Sequence, residues 1–176
     1  NETGITNRFF PEANAPNCNT DLLARADQIL DPEDETDTAT GKADVDRVTD
    51  FMRLLAPPSR GRVTAAATAG ANVFTAINCT ACHTPSLITG ASSVAALSNQ
   101  TVPLYSDLLL HDMGALGDGI AQGAAGPRDM RTAPLWGLGL RQVYLHDGRT
   151  RSLDAAIKAH DGEAAAARTL YVQLPT

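Results

Sequence analysis

Cys79-Thr80-Ala81-Cys82-His83 decides how the rest of this sequence is read. Two thiols three positions apart can reach the two vinyl groups on one edge of a porphyrin, and the next residue then points its imidazole at the metal. The spacing follows from the dimensions of the macrocycle, and the run is the attachment signature of a c-type haem. Two other chemistries use paired cysteines. A zinc site would need a second ligand pair at comparable spacing, which Cys18, the one remaining cysteine, does not supply. A thioredoxin-like dithiol would need a strand ahead of the cysteines and a βαβ frame, and the residues ahead of Cys79 read instead as a helix.

That helix is expected over Arg62 to Ile77, an alanine-rich stretch that leads through Val73, Phe74 and Ile77 into the motif. Further upstream, Val45, Val48, Met52 and Leu55 recur at intervals of three and four, one face of an amphipathic helix from Lys42 that Pro57-Pro58 stops. Leu22, Leu23, Ala26 and Ile29 mark another helix, Thr20 to Leu30, ended by Asp31-Pro32. The acidic stretch Glu33 to Asp37 reads as a solvated loop.

Downstream, Pro85 to Leu145 breaks into short apolar runs separated by Gly and Pro, mostly loop wrapped on something rigid. A final helix starts with Ser152 as its cap and sets Leu153, Ala156, Ile157 and His160 on one face. Asp161-Gly162 breaks it, and a short helical piece follows from Glu163 to Leu170.

Composition narrows the partners. A net charge of −6 without a basic stripe excludes nucleic acid, since nothing is available to neutralise phosphates. No apolar run reaches the length of a membrane span. Aromatics are only 5% of the 176 residues, and a large prosthetic group would supply the missing apolar bulk. The start at Asn1-Glu2-Thr3-Gly4 and the close at Leu174-Pro175-Thr176 read as those of a fragment of a longer protein. Cys18 reads as a reduced, buried thiol ahead of the alternative, half of a bond to a further segment or a second copy.

With His83 as one axial ligand, the second decides the chemistry. Iron with one protein ligand can bind peroxide or oxygen, and iron with two is chiefly an electron carrier. His111, Met113, Met130, His146 and His160 are the candidates. Met113, a thioether beside Gly114 in a loop about thirty residues past the motif, and His160, on a helix with a small-residue face at Ala156 and Ala159, are not separated by chemistry alone.

Five ordered blocks carry a resemblance: Cys79 to Pro85, Tyr105-Ser106-Asp107-Leu108-Leu109-Leu110-His111-Asp112-Met113-Gly114, Arg131 to Leu138, Tyr144-Leu145-His146-Asp147-Gly148-Arg149, and Ser152 to Ile157 with His160 and Gly162-Glu163-Ala164. Together they resemble the C-terminal haem domain of the di-haem c-type oxidoreductases labelled thiol oxidoreductases. These are related to the bacterial di-haem cytochrome c peroxidases and to the di-haem enzyme that matures tryptophan tryptophylquinone. In the peroxidases the distal ligand of the C-terminal haem lies about a dozen residues past the Gly of the Tyr-x-His-x-Gly block. Counted from Gly148, that position is His160, so the resemblance favours His160 over Met113. The departure is equally informative: those enzymes carry two haems, and this sequence has one C-x-x-C-H, so their peroxidase activity does not transfer to it.

The expectation is a mostly α-helical, cytochrome c-like domain with long loops and one covalent haem c, the Lys42, Arg62 and Ser152 helices enclosing the cofactor. Residues 1–58 are expected to form an N-terminal helical extension from an inter-domain region, and 59–176 the haem domain. Arg131 is expected at a propionate, Trp136 at the pocket or in the core, and Phe74, Leu135 and Tyr144 as apolar packing. His111 and His146, each followed by an Asp that could orient its ring, read as structural histidines. The function expected is one-electron transfer with a redox partner protein or second haem domain, in the periplasm where covalent haem attachment is made. The alternative is a haem peroxidase or oxidoreductase domain of a di-haem enzyme.

Overall fold

The computed structural model describes residues 36–121 and 124–175. Cys18 and the helix expected over Thr20 to Leu30 lie outside them. Two compact units divide the chain: Asn1–Pro57 with Gly119–Pro127, and Pro58–Asp118 with Arg128–Thr176.

In the first unit the described helix is α1, Asp44–Leu54. Its entry is fixed by Asp46, whose carboxylate accepts the backbone N–H of Ala43 at 3.0 Å, the third helical residue reaching back to the cap. Asp37 accepts N–H groups from Ala39 and Thr40 and pairs with Arg47, which ties the preceding turn to the helix. The expected apolar stripe is not a buried face here. Val48, Met52 and Leu55 remain 60%, 61% and 50% exposed.

The second unit begins with α2, Ala65–Ala76, capped by Thr64, whose hydroxyl accepts the N–H of Ala67 at 3.1 Å. The helix does not run straight into the motif. Asn78 takes a left-handed conformation (φ +65°) and starts a 3₁₀ turn over Cys79–Ala81, so the two cysteines sit on a tight turn.

Two ribbons follow. β1 (Leu87–Ile88) pairs antiparallel with β2 (Thr101–Val102). β3 (Leu110–Asp112) pairs antiparallel with β4 (Asp129–Arg131), placing Leu110 opposite Arg131 and His111 opposite Met130. The chain closes with α3 (Leu153–Lys158), a 3₁₀ turn over Gly162–Ala164, and α4 (Ala165–Val172). Ser152 caps α3 by accepting the N–H of Ala155 at 3.2 Å, as its sequence position predicts.

The expectation of a mostly α-helical fold does not survive. Among the described residues three helices reach seven residues, and the rest of the regular structure is the six-residue α3, 3₁₀ turns and the two small antiparallel sheets. Strands of two and three residues are too short to show an alternating pattern, which is why Pro85 to Leu145 reads as loop.

The second unit buries few apolar side chains: Ile77, Leu104, Leu116 and Ala156. Polar Ser106 and Thr132 are buried with them. The Ser106 hydroxyl donates to the Thr132 carbonyl at 2.6 Å and accepts the N–H of Leu108 at 2.9 Å, so a serine pins the segment ahead of β3 to the one after β4. So thin a core leaves the fold short of the apolar burial that a domain of this length draws on.

Candidate functional site

The site assembles from three stretches of the second unit: the 3₁₀ turn of the cysteines, the loop at Tyr105, and the end of α3. His83 follows the turn, with its backbone N–H on the carbonyl of Cys79 at 3.0 Å. The residue is half-buried, and its ring is oriented at one end, because Nδ1 donates to the Tyr105 carbonyl at 2.9 Å. Tyr105 itself has φ +54°, unusual for a bulky residue. This strained residue is the one whose carbonyl orients His83.

Phe74, on the last turn of α2, packs against both groups, its ring 6.1 Å from His83 and 6.1 Å edge-on from Tyr105. Burial pushes the His83 imidazole below its usual pKa, and the neutral ring is the form with a lone pair for a metal.

Near it stands His160, just past the C-terminus of α3. Its Nδ1 donates to the Ala156 carbonyl at 2.9 Å, and its ring centroid lies 6.5 Å from that of His83. Each imidazole thus spends Nδ1–H on a backbone carbonyl and keeps Nε2 for another partner, the arrangement that orients a metal-bound histidine. Two imidazoles on opposite sides of one metal, each bonded at about 2.0 Å, would have centroids about 6.3 Å apart. The separation in the structure matches.

Cys79 and Cys82 are half-buried. Burial pushes both thiols above their usual pKa, and Asp107 and then Glu163 push Cys82 further. A redox dithiol needs a lowered pKa, so the direction is wrong for thioredoxin-like chemistry. Two thiols on one turn, two imidazoles at metal-spanning distance and a thin apolar core fit a haem.

The family model described as di-haem oxidoreductase, putative peroxidase, matches residues 1–176. The chain belongs to the di-haem oxidoreductase family. No curated protein and no solved structure matches it. The family implies a haem cofactor, and the paired imidazoles beside the cysteine turn are where this di-haem oxidoreductase chain has the residues to hold one. Among the described residues no helix is long and apolar enough to cross a membrane.

The other residues singled out in the sequence divide. Met113 opens the 3₁₀ turn Gly114–Leu116, on a loop packed against the segment after His160: Ala115 N–H meets Asp161 Oδ2 at 3.2 Å. Trp136 commits its indole N–H to the Pro103 carbonyl at 3.0 Å, a structural use of its polar end. Arg131 ends β4, and Met130 lies beside it. His146 is exposed, and the neighbouring Asp147 pairs with Arg149 at 2.6 Å instead of orienting the ring.

His111 does not use the Asp that follows it. Its Nε2 meets Asp107 Oδ2 at 2.9 Å and its Nδ1 meets Glu163 Oε2 at 2.8 Å. A carboxylate on each ring nitrogen requires both to donate, which only the imidazolium can do. The Glu163 contact first, and behind it Asp107 against the opposing effect of burial, raise the pKa of His111. Cys82, Asp107 and His111 offer ligand atoms within 4.8 Å of one another, a cluster that cysteine spacing alone does not reveal. Asp107 and Glu163 were legible only as members of the resembling blocks, because their partners lie at other points along the chain.

Proposed function

We propose that this chain is a haem-carrying electron-transfer domain of the di-haem oxidoreductase family. One haem c would be held by thioether bonds from Cys79 and Cys82, with His83 and His160 as axial ligands. The observation that carries the reading is the pair of imidazoles with ring centroids 6.5 Å apart and both Nδ1 atoms already anchored.

When bound, the haem supplies a reversible one-electron couple. The chain's part would be to offer the His83 and His160 imidazoles to the iron, leaving no open position for peroxide or oxygen, and to set the potential. Two imidazoles give a lower potential than imidazole with thioether. The Tyr105 and Ala156 carbonyls, by accepting from Nδ1, make each imidazole a stronger donor at Nε2. Phe74 shields the His83 side from water. The chain brings one C-x-x-C-H, so one of the family's two haems is its share, and its redox partner is a second haem domain or a separate protein. Thioether attachment is made outside the cytoplasm, which puts the domain in the periplasm. Residues 59–176 would be the haem domain and 1–58 an extension to it.

The test is production in a bacterial periplasm with haem-attachment machinery. The denatured chain should retain one haem by mass, and the ferric protein should show a low-spin spectrum and reduce reversibly. A high-spin charge-transfer band in the purified protein would favour the peroxidase reading, which needs an open axial position, and a chain without haem mass would end both.

A further inference from the structure

A line of hydrogen bonds leads from the motif turn to the stretch after His160. Asp107 donates its backbone N–H to the Cys82 carbonyl at 2.9 Å. Its side chain holds His111 Nε2 at 2.9 Å, and His111 Nδ1 reaches Glu163 Oε2 at 2.8 Å. The other oxygen of Glu163 accepts the Asp112 N–H at 3.0 Å, so this carboxylate grips both the ring and the backbone of β3.

Glu163 lies three residues beyond His160. Between them Asp161 accepts the N–H of Ala115, and Gly162 presses so close to β3 that a Cβ there would sit 2.2 Å from the Asp112 carbonyl oxygen. The segment carrying His160 is therefore held against β3, and β3 is held through His111 and Asp107 to the turn of Cys82. His111 and Asp107 side chains are only 15% and 13% exposed. Their contacts are short, partly desolvated and charge-assisted, the strong class of hydrogen bond.

We propose that His111 is a positioning residue for the distal ligand: held by Asp107 and Glu163, it ties the His160 segment to the haem-attachment turn and keeps His160 at the iron. The proposal rests on the reading of His160 as distal ligand. α3 is six residues long and ends before His160, so the Ala156 carbonyl holds the ring at Nδ1 only and from one side of the chain. The tie supplies the second point of support. The proximal side needs no such device, because His83 adjoins Cys82 in sequence.

The experiment uses the haem-loaded chain and follows cyanide binding to the ferric protein, which a six-coordinate iron admits only while its distal ligand is off. Glu163→Ala and His111→Gln should each speed binding about tenfold, as expected for loss of a charge-assisted contact, and the double variant should add little. Glu163→Gln, which keeps the shape and one acceptor, should recover part of the effect. Thr64→Ala, which weakens α2 away from the tie, is the control for destabilisation alone and should leave the rate unchanged. Glu163 is half exposed, so its variants keep the question open to measurement should His111→Gln fold poorly. Cyanide rates unchanged in both variants, with His160→Ala turning the iron high-spin, would overturn the tie and leave the ligand assignment standing. A His160→Ala protein that stays low-spin would overturn the ligand assignment and the tie with it.

Discussion

The rings of His83 and His160 lie with centroids 6.5 Å apart and planes inclined by 52°, each fixed by a hydrogen bond from Nδ1 to a main-chain carbonyl. One of these rings is placed by its neighbour in sequence and the other by packing. His83 is carried by the turn of Cys79 and Cys82. His160 depends on α3 and on the Asp161–Glu163 segment beyond it.

The first prediction separates the two candidate distal ligands. His160→Ala should convert the ferric haem protein from low to high spin, and added imidazole should restore the low-spin spectrum by refilling the position. Met113→Ala should leave the spectrum as it is. A change confined to the Met113 variant would move the distal ligand to the thioether and raise the expected potential.

How much of the site was legible from the sequence differs by residue. The cysteines and His83 adjoin one another in one short motif and Ser152 caps through a partner three positions on, and local pattern finds such residues. Phe74, one turn ahead of the motif, belongs with them. His160 needed the resemblance, since nothing local distinguishes it from Met113. The His111 pairing was hidden because its partners, Asp107 and Glu163, stand on opposite sides of it in the chain and the adjacent Asp112 offers a false candidate. The ribbons were missed because two or three residues carry no period, and the buried Ser106 because a serine in a loop-like stretch gives no sign that it will be enclosed.

Ser106 gives the second prediction. Its hydroxyl both donates to Thr132 and accepts from Leu108, and the residue has no exposed surface. Ser106→Ala leaves a buried carbonyl and a backbone N–H without this partner, and should cost about 1–3 kcal/mol in denaturant unfolding. Ser106→Thr keeps the hydroxyl but adds a methyl with no space to enter. If Ser106→Ala unfolds at the same denaturant concentration as the parent, the bridge contributes nothing.

Acid should loosen the junction of α3 and α4. Lys158 first, and Tyr171 second, hold the Asp154 carboxyl below its usual pKa, with the Tyr171 hydroxyl reaching across from α4 at 3.0 Å. A carboxyl whose pKa is depressed on folding contributes stability above its ordinary range, and that contribution is lost as pH falls below about 4. Melting temperatures taken from pH 7 downward should therefore fall less steeply for Asp154→Asn than for the parent. Parallel curves would leave Asp154 without a share in the acid slope.

The motif turn depends on a left-handed residue. Asn78 has φ +65°, a conformation that asparagine tolerates and a β-branched residue does not. Asn78→Val should cost about 1–2 kcal/mol, and Asn78→Gly should be close to neutral. The comparison is read by thermal unfolding of the haem-loaded protein. Equal losses in the two variants would mean that the Asn78 side chain, not its backbone conformation, is what the turn requires.

Gly148 and Gly162 have similar backbone conformations, φ +67° and +56°, but not similar surroundings. A Cβ on Gly148 would meet nothing closer than Val143 at 3.8 Å, whereas one on Gly162 would fall 2.2 Å from the Asp112 oxygen and 2.7 Å from the Gly114 nitrogen. Gly148→Ala therefore carries only the conformational cost, about 1 kcal/mol. Gly162→Ala carries the same cost and must also push β3 away from the segment after His160. The obstructing atoms are backbone and cannot swing aside, so the loss should reach about 3 kcal/mol. The displacement acts where His160 is held, so Gly162→Ala should also raise the high-spin fraction, and Gly148→Ala should not. Equal losses would show that backbone conformation alone sets the requirement for glycine at both sites. A large loss at Gly162 with an unchanged spectrum would show that β3 and the His160 segment can part without releasing the ligand.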